Sequence, residues 1–276
     1  MKARAYAKIN LSLNVFNKTD GYHGIDSVVV SIDVCNVASA TKRRDGKISV
    51  KPKYFGDYAS VDNALNAAEM FKKKYNVGGF DVTLARNIPV GGGMGGSSAD
   101  VAATLNALSA LYKTGDVKDI ADAVGSDCGY MLTGGAARLT GRGDIVEPFK
   151  CKPFYMVIIV AEEGVSTAKA YDAFDKLAEN GELSDNAALI YALSSGDLVG
   201  AAEQVNNALI RPAETLSEEV RLNLAAMRDL CPLCASMSGS GSTVFGIFET
   251  EELCRWAADK LKKSGKKAFV VKTIDP

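Results

Sequence analysis

The segment Pro89-Val90-Gly91-Gly92-Gly93-Met94-Gly95-Gly96-Ser97-Ser98-Ala99-Asp100 carries the strongest structural signal in this chain. Its glycines lack a Cβ atom, so their backbone N–H groups can approach an anion closely. A helix is expected directly behind them, because apolar residues recur at helical spacing from Val101 to Tyr112. The start of such a helix offers unpaired N–H groups and the positive end of its dipole. The segment therefore predicts a phosphate cradle.

Two hydroxyl groups strengthen this prediction. Ser97 and Ser98 follow the glycines and can donate hydrogen bonds to phosphate oxygens, and Ser98 can also join the ligand shell of Mg²⁺. The predicted nucleotide-binding residues of the segment are Pro89, Val90, Gly91, Gly92, Gly93, Met94, Gly95, Gly96, Ser97, Ser98 and Ala99.

Two other interpretations of the glycines stay open. The first is a flexible turn without a ligand. The second is a dinucleotide site, because Gly91, Gly93 and Gly96 also fit the pattern Gly-x-Gly-x-x-Gly. That pattern normally follows the first strand of a βαβ unit, whereas here it lies in mid-chain behind Pro89, so an oxidoreductase ranks second. The nucleoside-triphosphatase pattern is absent, because no lysine follows the glycines.

Composition excludes several classes of protein. The 276 residues carry 32 basic and 33 acidic side chains, and this balance argues against nucleic-acid and membrane-surface partners. The longest apolar stretch, 154–161, is far shorter than the roughly 20 residues of a membrane helix.

The histidine and cysteine content excludes further kinds of site. A single histidine, His23, excludes zinc sites with several histidine ligands. Six scattered cysteines and no apolar leader predict a cytoplasmic protein with reduced thiols. The oligomeric state is not defined by these features.

Strand and helix patterns alternate in both halves of the chain, which predicts an α+β protein with two domains, 1–152 and 153–276. Alternation predicts a strand over 5–15, and β-branched apolar residues predict another over 28–34. Ser60 is expected to cap a helix that ends at Gly78, and a further helix is expected near 167–178. Gly125-Ser126-Asp127 is interpreted as a loop. Thr215 and Glu218 have the spacing of a capping box.

Three segments in order resemble a known superfamily: Ala7-Lys8-Ile9-Asn10-Leu11, the glycine segment, and Met237-Ser238-Gly239-Ser240-Gly241-Ser242. They are similar to the GHMP kinases, the small-molecule kinases named for galactose, homoserine, mevalonate and phosphomevalonate. This resemblance implies two α+β domains with the active site in the cleft between them. It also implies an ATP- and Mg²⁺-dependent transfer of a phosphoryl group to an alcohol.

Four further passages narrow the resemblance to members that phosphorylate a hydroxyl of a cytidyl-linked methylerythritol in isoprenoid precursor synthesis. These passages are Asp20-Gly21-Tyr22-His23, Asp62-Asn63, Gly125-Ser126-Asp127 and 165–171. The resemblance thus implies a cytidyl-linked polyol phosphate as the substrate. A homoserine- or mevalonate-type kinase is the alternative, and a nucleotide-sensing module without turnover is a third hypothesis from another class.

The resemblance also assigns catalytic roles. Asp127 corresponds to the general base that accepts the proton of the substrate hydroxyl. Lys8 corresponds to the lysine that keeps this carboxylate ionised and neutralises developing charge. Asn10 lies two positions along the same strand, hence on the same face as Lys8, and is expected to contact the phosphate or the hydroxyls of the polyol. Taken alone, Asp127 would be interpreted as a turn-capping residue, and Lys8 as an edge-strand lysine.

Further residues are implied for binding. Tyr22 and Tyr171 would stack on cytosine, while His23 would hydrogen-bond the edge of the base; by periodicity alone Tyr171 is a core aromatic. Asn63 is placed near the adenine. A second glycine loop would face the substrate diphosphate, with Gly239, Ser240 and Gly241.

One passage departs from the family pattern. Cys128-Gly129-Tyr130 follows Asp127, where the family usually has a small apolar residue, proline and an aromatic residue. Glycine in place of proline removes a fixed φ angle, so a looser turn beside Asp127 is expected.

Overall fold

The structure, a computed structural model, describes residues 1–19, 21–54, 60–177 and 182–275. The strands in these ranges are β1 (Lys2–Asn10), β2 (Ser12–Thr19), β3 (Tyr22–Arg43), β4 (Ile48–Pro52), β5 (Gly79–Ala85), β6 (Ala136–Gly141), β7 (Ile145–Phe149), β8 (Tyr155–Ile159), β9 (Asn206–Asn207), β10 (Cys234–Met237), β11 (Val244–Ile247) and β12 (Ala268–Ile274). The helices are α1 (Asp62–Tyr75), α2 (Gly96–Tyr112), α3 (Lys118–Val124), α4 (Ser126–Thr133), α5 (Thr167–Phe174), α6 (Asn186–Ser195), α7 (Leu198–Glu203), α8 (Ile210–Leu216), α9 (Glu218–Arg228) and α10 (Glu251–Lys263). This mixture confirms the predicted α+β class.

The chain forms two compact units whose segments alternate along the sequence. Unit 1 contains residues 1–7, 34–90 and 95–134, and unit 2 contains residues 8–33, 91–94 and 135–276. The division falls within β1, within β3 and within the glycine segment. The boundary at residues 152 and 153 stays a prediction about the family domains, since the compact units are built from interleaved segments.

The described residues of unit 1 form a small sheet and four helices. β5 pairs in parallel with β4 and antiparallel with residues 37–43 of β3. Alternate residues of β5 are buried because one face of the strand meets the helices. Helices α1, α3 and α4 each pack against α2, which is buried along most of its length. α2 therefore holds a fixed position in this unit, and so does its first turn.

Unit 2 contains an antiparallel sheet in the order β10, β11, β8, β12. The end of β12 pairs with β3, which also pairs with β2 and β6. Apolar residues of this sheet pack against α5, α8, α9 and α10, with Leu13, Ile159, Leu224 and Leu261 among the buried side chains. This core supports the second glycine loop, which connects β10 to β11.

Strand predictions hold in position but not in length. The predicted strand 5–15 is two strands separated at Leu11, and the predicted strand 28–34 is the middle of the 22-residue β3. Thr19 pairs with Tyr22 across the turn. Gly21 adopts φ 82°, which favours glycine, and Asp20 lies outside the described residues.

The bounds of two predicted helices are wrong. Ser60 does not cap α1, which begins at Asp62 behind Val61, although Ser60 Oγ accepts a hydrogen bond from the Asp62 N–H at 3.0 Å. This helix ends at Tyr75, before Asn76 in a left-handed conformation. The helix near 167–178 ends at Phe174, and residue 178 lies outside the described ranges.

The predicted capping box is also wrong. Thr215 lies inside α8, where its hydroxyl donates to the Pro212 carbonyl at 2.7 Å. Ser217 caps α9 instead and accepts a hydrogen bond from the Val220 N–H at 3.3 Å. The pattern predicts that a helix begins behind Thr215, whereas the short helix α8 ends there and α9 begins after Ser217.

Candidate active site

Residues 91–94 of the glycine segment belong to unit 2, where close backbone contacts require glycine. Gly91 and Gly93 both adopt φ 72°, a left-handed conformation that disfavours other residues. A Cβ atom on Gly93 would lie 2.1 Å from the Ser238 carbonyl oxygen, and one on Gly91 would lie 3.1 Å from Gly164 Cα. Gly93 is therefore required for the approach of two backbone segments.

Hydrogen bonds join this part of the segment to its neighbours in unit 2. Ser238 Oγ donates to the Gly93 carbonyl at 2.9 Å and accepts from the Asn10 N–H at 3.2 Å. The Lys8 N–H donates to the Met94 carbonyl at 3.1 Å. The glycine segment, β1 and the second glycine loop thus meet at Ser238.

The segment continues in unit 1 as the first turn of α2. Gly95 precedes the helix with φ 74°, and no side chain caps the helix start. Asn63 Nδ2 donates to Ser97 Oγ at 3.0 Å. Burial raises the pKa of the Cys128 thiol, in the first turn of α4, to about 11. The first N–H groups of α2 have no partner within the helix, as expected for a helix start.

The remaining side chains of this segment have different exposures. Pro89 is half-buried and Val90 is exposed, whereas the Met94 and Ala99 side chains are buried. Met94 and Ala99 therefore anchor the segment, and their backbone atoms alone are available to a ligand.

Asp127 lies in the first turn of α4 in unit 1 and is half-buried. The prediction that Gly125 to Asp127 form a loop is wrong, because the helix begins at Ser126 and only Gly125 is extended. The expected loose turn at Gly129 is wrong as well, since Gly129 lies within α4. A Cβ there would lie 2.2 Å from Asp122 Oδ1, whose carboxylate pairs with Lys118 at 2.5 Å.

Lys8 and Asn10 lie on one face of β1, as their spacing predicts. Both residues are buried, and Lys8 Nζ donates to Asn10 Oδ1. Asn10 Nδ2 donates to Ser27 Oγ at 2.8 Å. This chain of hydrogen bonds orients the lysine amine, because a buried ammonium group requires polar partners.

His23 and Tyr171 come together in unit 2, with ring centroids 5.1 Å apart. His23 Nδ1 lies 2.6 Å from the Phe16 carbonyl oxygen, and Nε2 lies 3.0 Å from Asp175 Oδ1. Lys18 pairs with the same carboxylate at 2.5 Å and holds the pKa of Asp175 below its ordinary value. Sequence reasoning missed Asp175, which no motif marks.

Tyr22 is exposed, and the guanidinium of Arg142 lies 3.6 Å from the centre of its ring. This is a cation–π contact. No sequence motif marks Arg142, which lies in the turn between β6 and β7. One face of Tyr22 is thus covered by Arg142.

The second glycine loop is held by buried amide and hydroxyl groups of unit 2. Asn207 Nδ2 donates to the Gly239 carbonyl at 2.8 Å, and Ser240 Oγ lies 2.9 Å from Thr167 Oγ1. Gly239 and Gly241 adopt φ 58° and 97°. The loop is therefore a built feature of the unit rather than a loose connection.

The described ranges contain neither a membrane-spanning helix nor a group of metal ligands. No helix there combines the length and apolar character needed to cross a bilayer. In the same ranges no three His, Cys, Asp or Glu side chains are grouped as metal ligands.

Family models match the chain in two places. The model of the GHMP kinases N terminal domain matches residues 62–137, and the GHMP kinases C terminal model matches residues 189–267. The first match contains the glycine segment and Asp127, and the second contains the Gly239–Gly241 loop. Fold and family models together define a kinase of the GHMP class.

Similar proteins narrow this class. The chain is 34% identical over 282 residues to a 4-diphosphocytidyl-2-C-methyl-D-erythritol kinase of Pelotomaculum thermopropionicum, covering 99% of this chain and 98% of that protein. It is 35% identical over 256 residues to a protein of the same name from Shouchella clausii, covering 90% and 86% of the two chains. The chain belongs to the 4-diphosphocytidyl-2-C-methyl-D-erythritol kinase family, which confirms the predicted family.

Solved structures agree with this membership. A crystal structure of 4-(cytidine 5'-diphospho)-2C-methyl-D-erythritol kinase matches with a TM-score of 0.83 at 29% identity and covers 99% of both chains. Homoserine kinase from Cytophaga hutchinsonii matches with a TM-score of 0.74 at 17% identity, covering all of this chain and 94% of that chain. The homoserine kinase likeness supports the shared fold alone.

Proposed function

We propose that this protein transfers the γ-phosphoryl group of ATP to a hydroxyl of 4-diphosphocytidyl-2-C-methyl-D-erythritol. The observation that carries this proposal is the glycine segment that leads into the uncapped first turn of α2, in a chain with full-length relatives of that name. Homoserine and mevalonate kinases resemble the chain at 17% and 13% identity, so they support a shared fold rather than a shared substrate.

The ATP phosphates would lie against the backbone of Pro89 to Ala99. Each available N–H group there donates to a phosphate oxygen, and the dipole of α2 favours the negative charge. Asn63 would approach the adenine from the start of α1. Its hydrogen bond to Ser97 supports this role, because it connects α1 to the α2 first turn.

Asp127 would act as the general base. Its carboxylate accepts the proton of the acceptor hydroxyl as that oxygen attacks the γ-phosphorus atom. Lys8 would stabilise the negative charge that develops on the transferred group, and Asn10 would hold the acceptor end of the substrate. The buried hydrogen bond from Lys8 to Asn10 supports this assignment, because it fixes the amine.

The cytidyl group would bind at Tyr22, His23 and Tyr171, with the second glycine loop at Gly239 to Gly241 facing the diphosphate. The aromatic rings supply stacking surfaces for cytosine. Here Nε2 of His23 lies beside Asp175, so a hydrogen bond from this nitrogen to the base edge competes with that carboxylate.

Mg²⁺ would neutralise phosphate charge. This ion usually keeps water and phosphate oxygens in its shell and takes few protein ligands, so a carboxylate cluster is not needed. The Ser98 hydroxyl fits this role, because it lies in the first turn of α2 and is half-buried. A cytoplasmic location stays a prediction from composition.

The test is acceptor-dependent ADP release from ATP with a panel of alcohols. We expect turnover with 4-diphosphocytidyl-2-C-methyl-D-erythritol and competition by cytidine nucleotides against that acceptor. Turnover with homoserine or mevalonate, insensitive to cytidine nucleotides, would instead identify another GHMP-type activity.

A further inference from the structure

A buried ion pair of unit 1 lies at the base of the glycine segment and has no role in the mechanism above. Arg86 Nε donates to Asp100 Oδ2 at 2.7 Å, and their side chains are only 7% and 5% exposed. Removing a pair of charges from water is costly, so such a pair is maintained only with good geometry and further hydrogen bonds.

Asn36 supplies these hydrogen bonds and connects both ends of the segment. Its Oδ1 accepts from the N–H groups of Asn87 and Ile88 at 2.8 and 3.0 Å, directly before Pro89. Its Nδ2 donates to Asp100 Oδ1 at 2.9 Å and to the Gly96 carbonyl at 3.3 Å. One buried amide thus holds the residues before the glycines and the first residue of α2.

Arg86 extends the same network to α1. Its Nη2 donates to the Ser60 carbonyl at 2.7 Å, two residues before the helix begins. Asn63, in the first turn of α1, then reaches Ser97 Oγ. The network therefore connects the start of α1 to the start of α2. Both helix starts carry proposed ATP contacts.

The charges of the network matter as well as its geometry. Asp100 is the fifth residue of α2, so its carboxylate lies about one turn from the helix start. An unpaired negative charge there would cancel part of the positive potential at the helix start and repel a triphosphate. Arg86 neutralises this charge without occupying the helix start.

We propose that Arg86, Asp100 and Asn36 form a positioning cluster for ATP, which aligns the first turn of α2 and keeps its potential positive. This inference rests on the proposed function. It assigns the three residues no contact with the substrate.

The experiment compares Arg86→Met, Asp100→Asn and the double variant. For Arg86→Met we expect the KM of ATP to rise about tenfold or more, because a buried carboxylate is left without its partner. The double variant removes this charge and is expected to recover to about threefold above wild type. The KM of the acceptor stays within about twofold in all three, since the cluster does not touch it. Titration calorimetry with ADP measures nucleotide affinity without turnover, and it should rank the variants in the same order as the KM of ATP.

Arg43→Met is the matched control, because it breaks exposed ion pairs with Asp45 and Asp81 in the same unit. It should leave the KM of ATP unchanged.

Circular dichroism shows whether each variant is folded. If Arg86→Met does not fold, Arg86→Lys takes its place. Because lysine keeps the positive charge, we expect Arg86→Lys to raise the KM of ATP by less than loss of the ion pair would. A folded Arg86→Met protein with wild-type affinity for ADP overturns the proposal, as does a double variant no better than Arg86→Met. If wild type binds ADP but lacks acceptor-dependent turnover, the proposed function fails instead, and the ADP affinities still test the cluster.

Discussion

The hydroxyl of Ser238 donates to the Gly93 carbonyl, 145 positions away in the sequence. This hydrogen bond joins the glycine segment to the second glycine loop within unit 2. The contact is so close that the Ser238 carbonyl oxygen occupies the place of a side chain on Gly93. The glycine segment is therefore held against the second glycine loop, and its shape depends on the backbone of both.

Gly93→Ala tests this relationship. The added Cβ would lie 2.1 Å from the Ser238 carbonyl oxygen, so one of the two loops must move. We expect the KM of ATP to rise about tenfold or more, because the backbone N–H groups lose their alignment. Steady-state ADP release measures this change.

Gly46→Ala is its matched control. Gly46 has φ 71° against 72° for Gly93, but a Cβ there meets no atom within 4 Å. Both variants share the left-handed backbone cost of about 1–2 kcal/mol, and only Gly93→Ala adds a collision. Equal KM values for ATP in the two variants would refute the role of loop contact.

Asp127→Asn tests the proposed general base. Asparagine keeps the shape of the side chain but cannot accept a proton, so kcat should fall by about 10²–10⁴-fold while the KM of ATP changes little. Asp119→Asn on α3 is the control, because Asp119 is exposed and pairs with Lys74 at 2.6 Å. Its kcat should stay near wild type. Substantial activity in Asp127→Asn would remove Asp127 from the mechanism.

The elements that carry the glycine segment could be predicted from local patterns. The apolar spacing behind Ser98 is long enough to define α2, and alternation over Phe80, Val82 and Leu84 defines β5. α4 was missed because it has only eight residues and contains Gly129, which disfavours helix. Packing against α2 and α3 outweighs that propensity.

Contacts between distant residues could not be predicted in this way. Arg142 covers Tyr22, and Asp175 lies against His23. Both contacts join residues that are far apart in the sequence, so no local pattern predicts them. Asp100 did leave a signal, because a charged residue among the apolar positions of α2 requires a buried partner. That signal does not identify Arg86, which lies on the other side of the glycines, directly after β5.

The ion pair of Asp26 with Arg138 predicts a pH dependence in unit 2. Two hydrogen bonds of 2.8 Å join the groups. Partial burial raises the pKa of Asp26, but the hydrogen bonds from Arg138 outweigh it and place the pKa below 3.8. A carboxyl with a lowered native pKa stabilises the fold above its unfolded pKa, and this contribution is lost as the pH falls through the native value.

Asp26→Asn should therefore lower the free energy of unfolding by about 1 kcal/mol or less at pH 7, because the pair is partly exposed. The difference from wild type should shrink below pH 3.8 as the wild-type carboxyl becomes protonated. Urea unfolding at several pH values measures both. A difference that stays constant down to pH 2.5 would mean that the ion pair contributes nothing.

Ser217→Ala and Thr215→Ala separate the observed helix cap from the one that the sequence pattern suggests. Ser217 Oγ accepts from the Val220 N–H at the start of α9, whereas the Thr215 hydroxyl only donates back to the Pro212 carbonyl within α8. Loss of an N-cap costs about 1 kcal/mol, so Ser217→Ala should lower the free energy of unfolding by that amount. Thr215→Ala should cost less than about 0.5 kcal/mol, since alanine has the higher helix propensity and the carbonyl keeps its helical environment. Chemical denaturation of the two variants side by side measures the difference. If Thr215→Ala were the more destabilising of the two, the cap of α9 would lie at Thr215, and its assignment to Ser217 would be wrong.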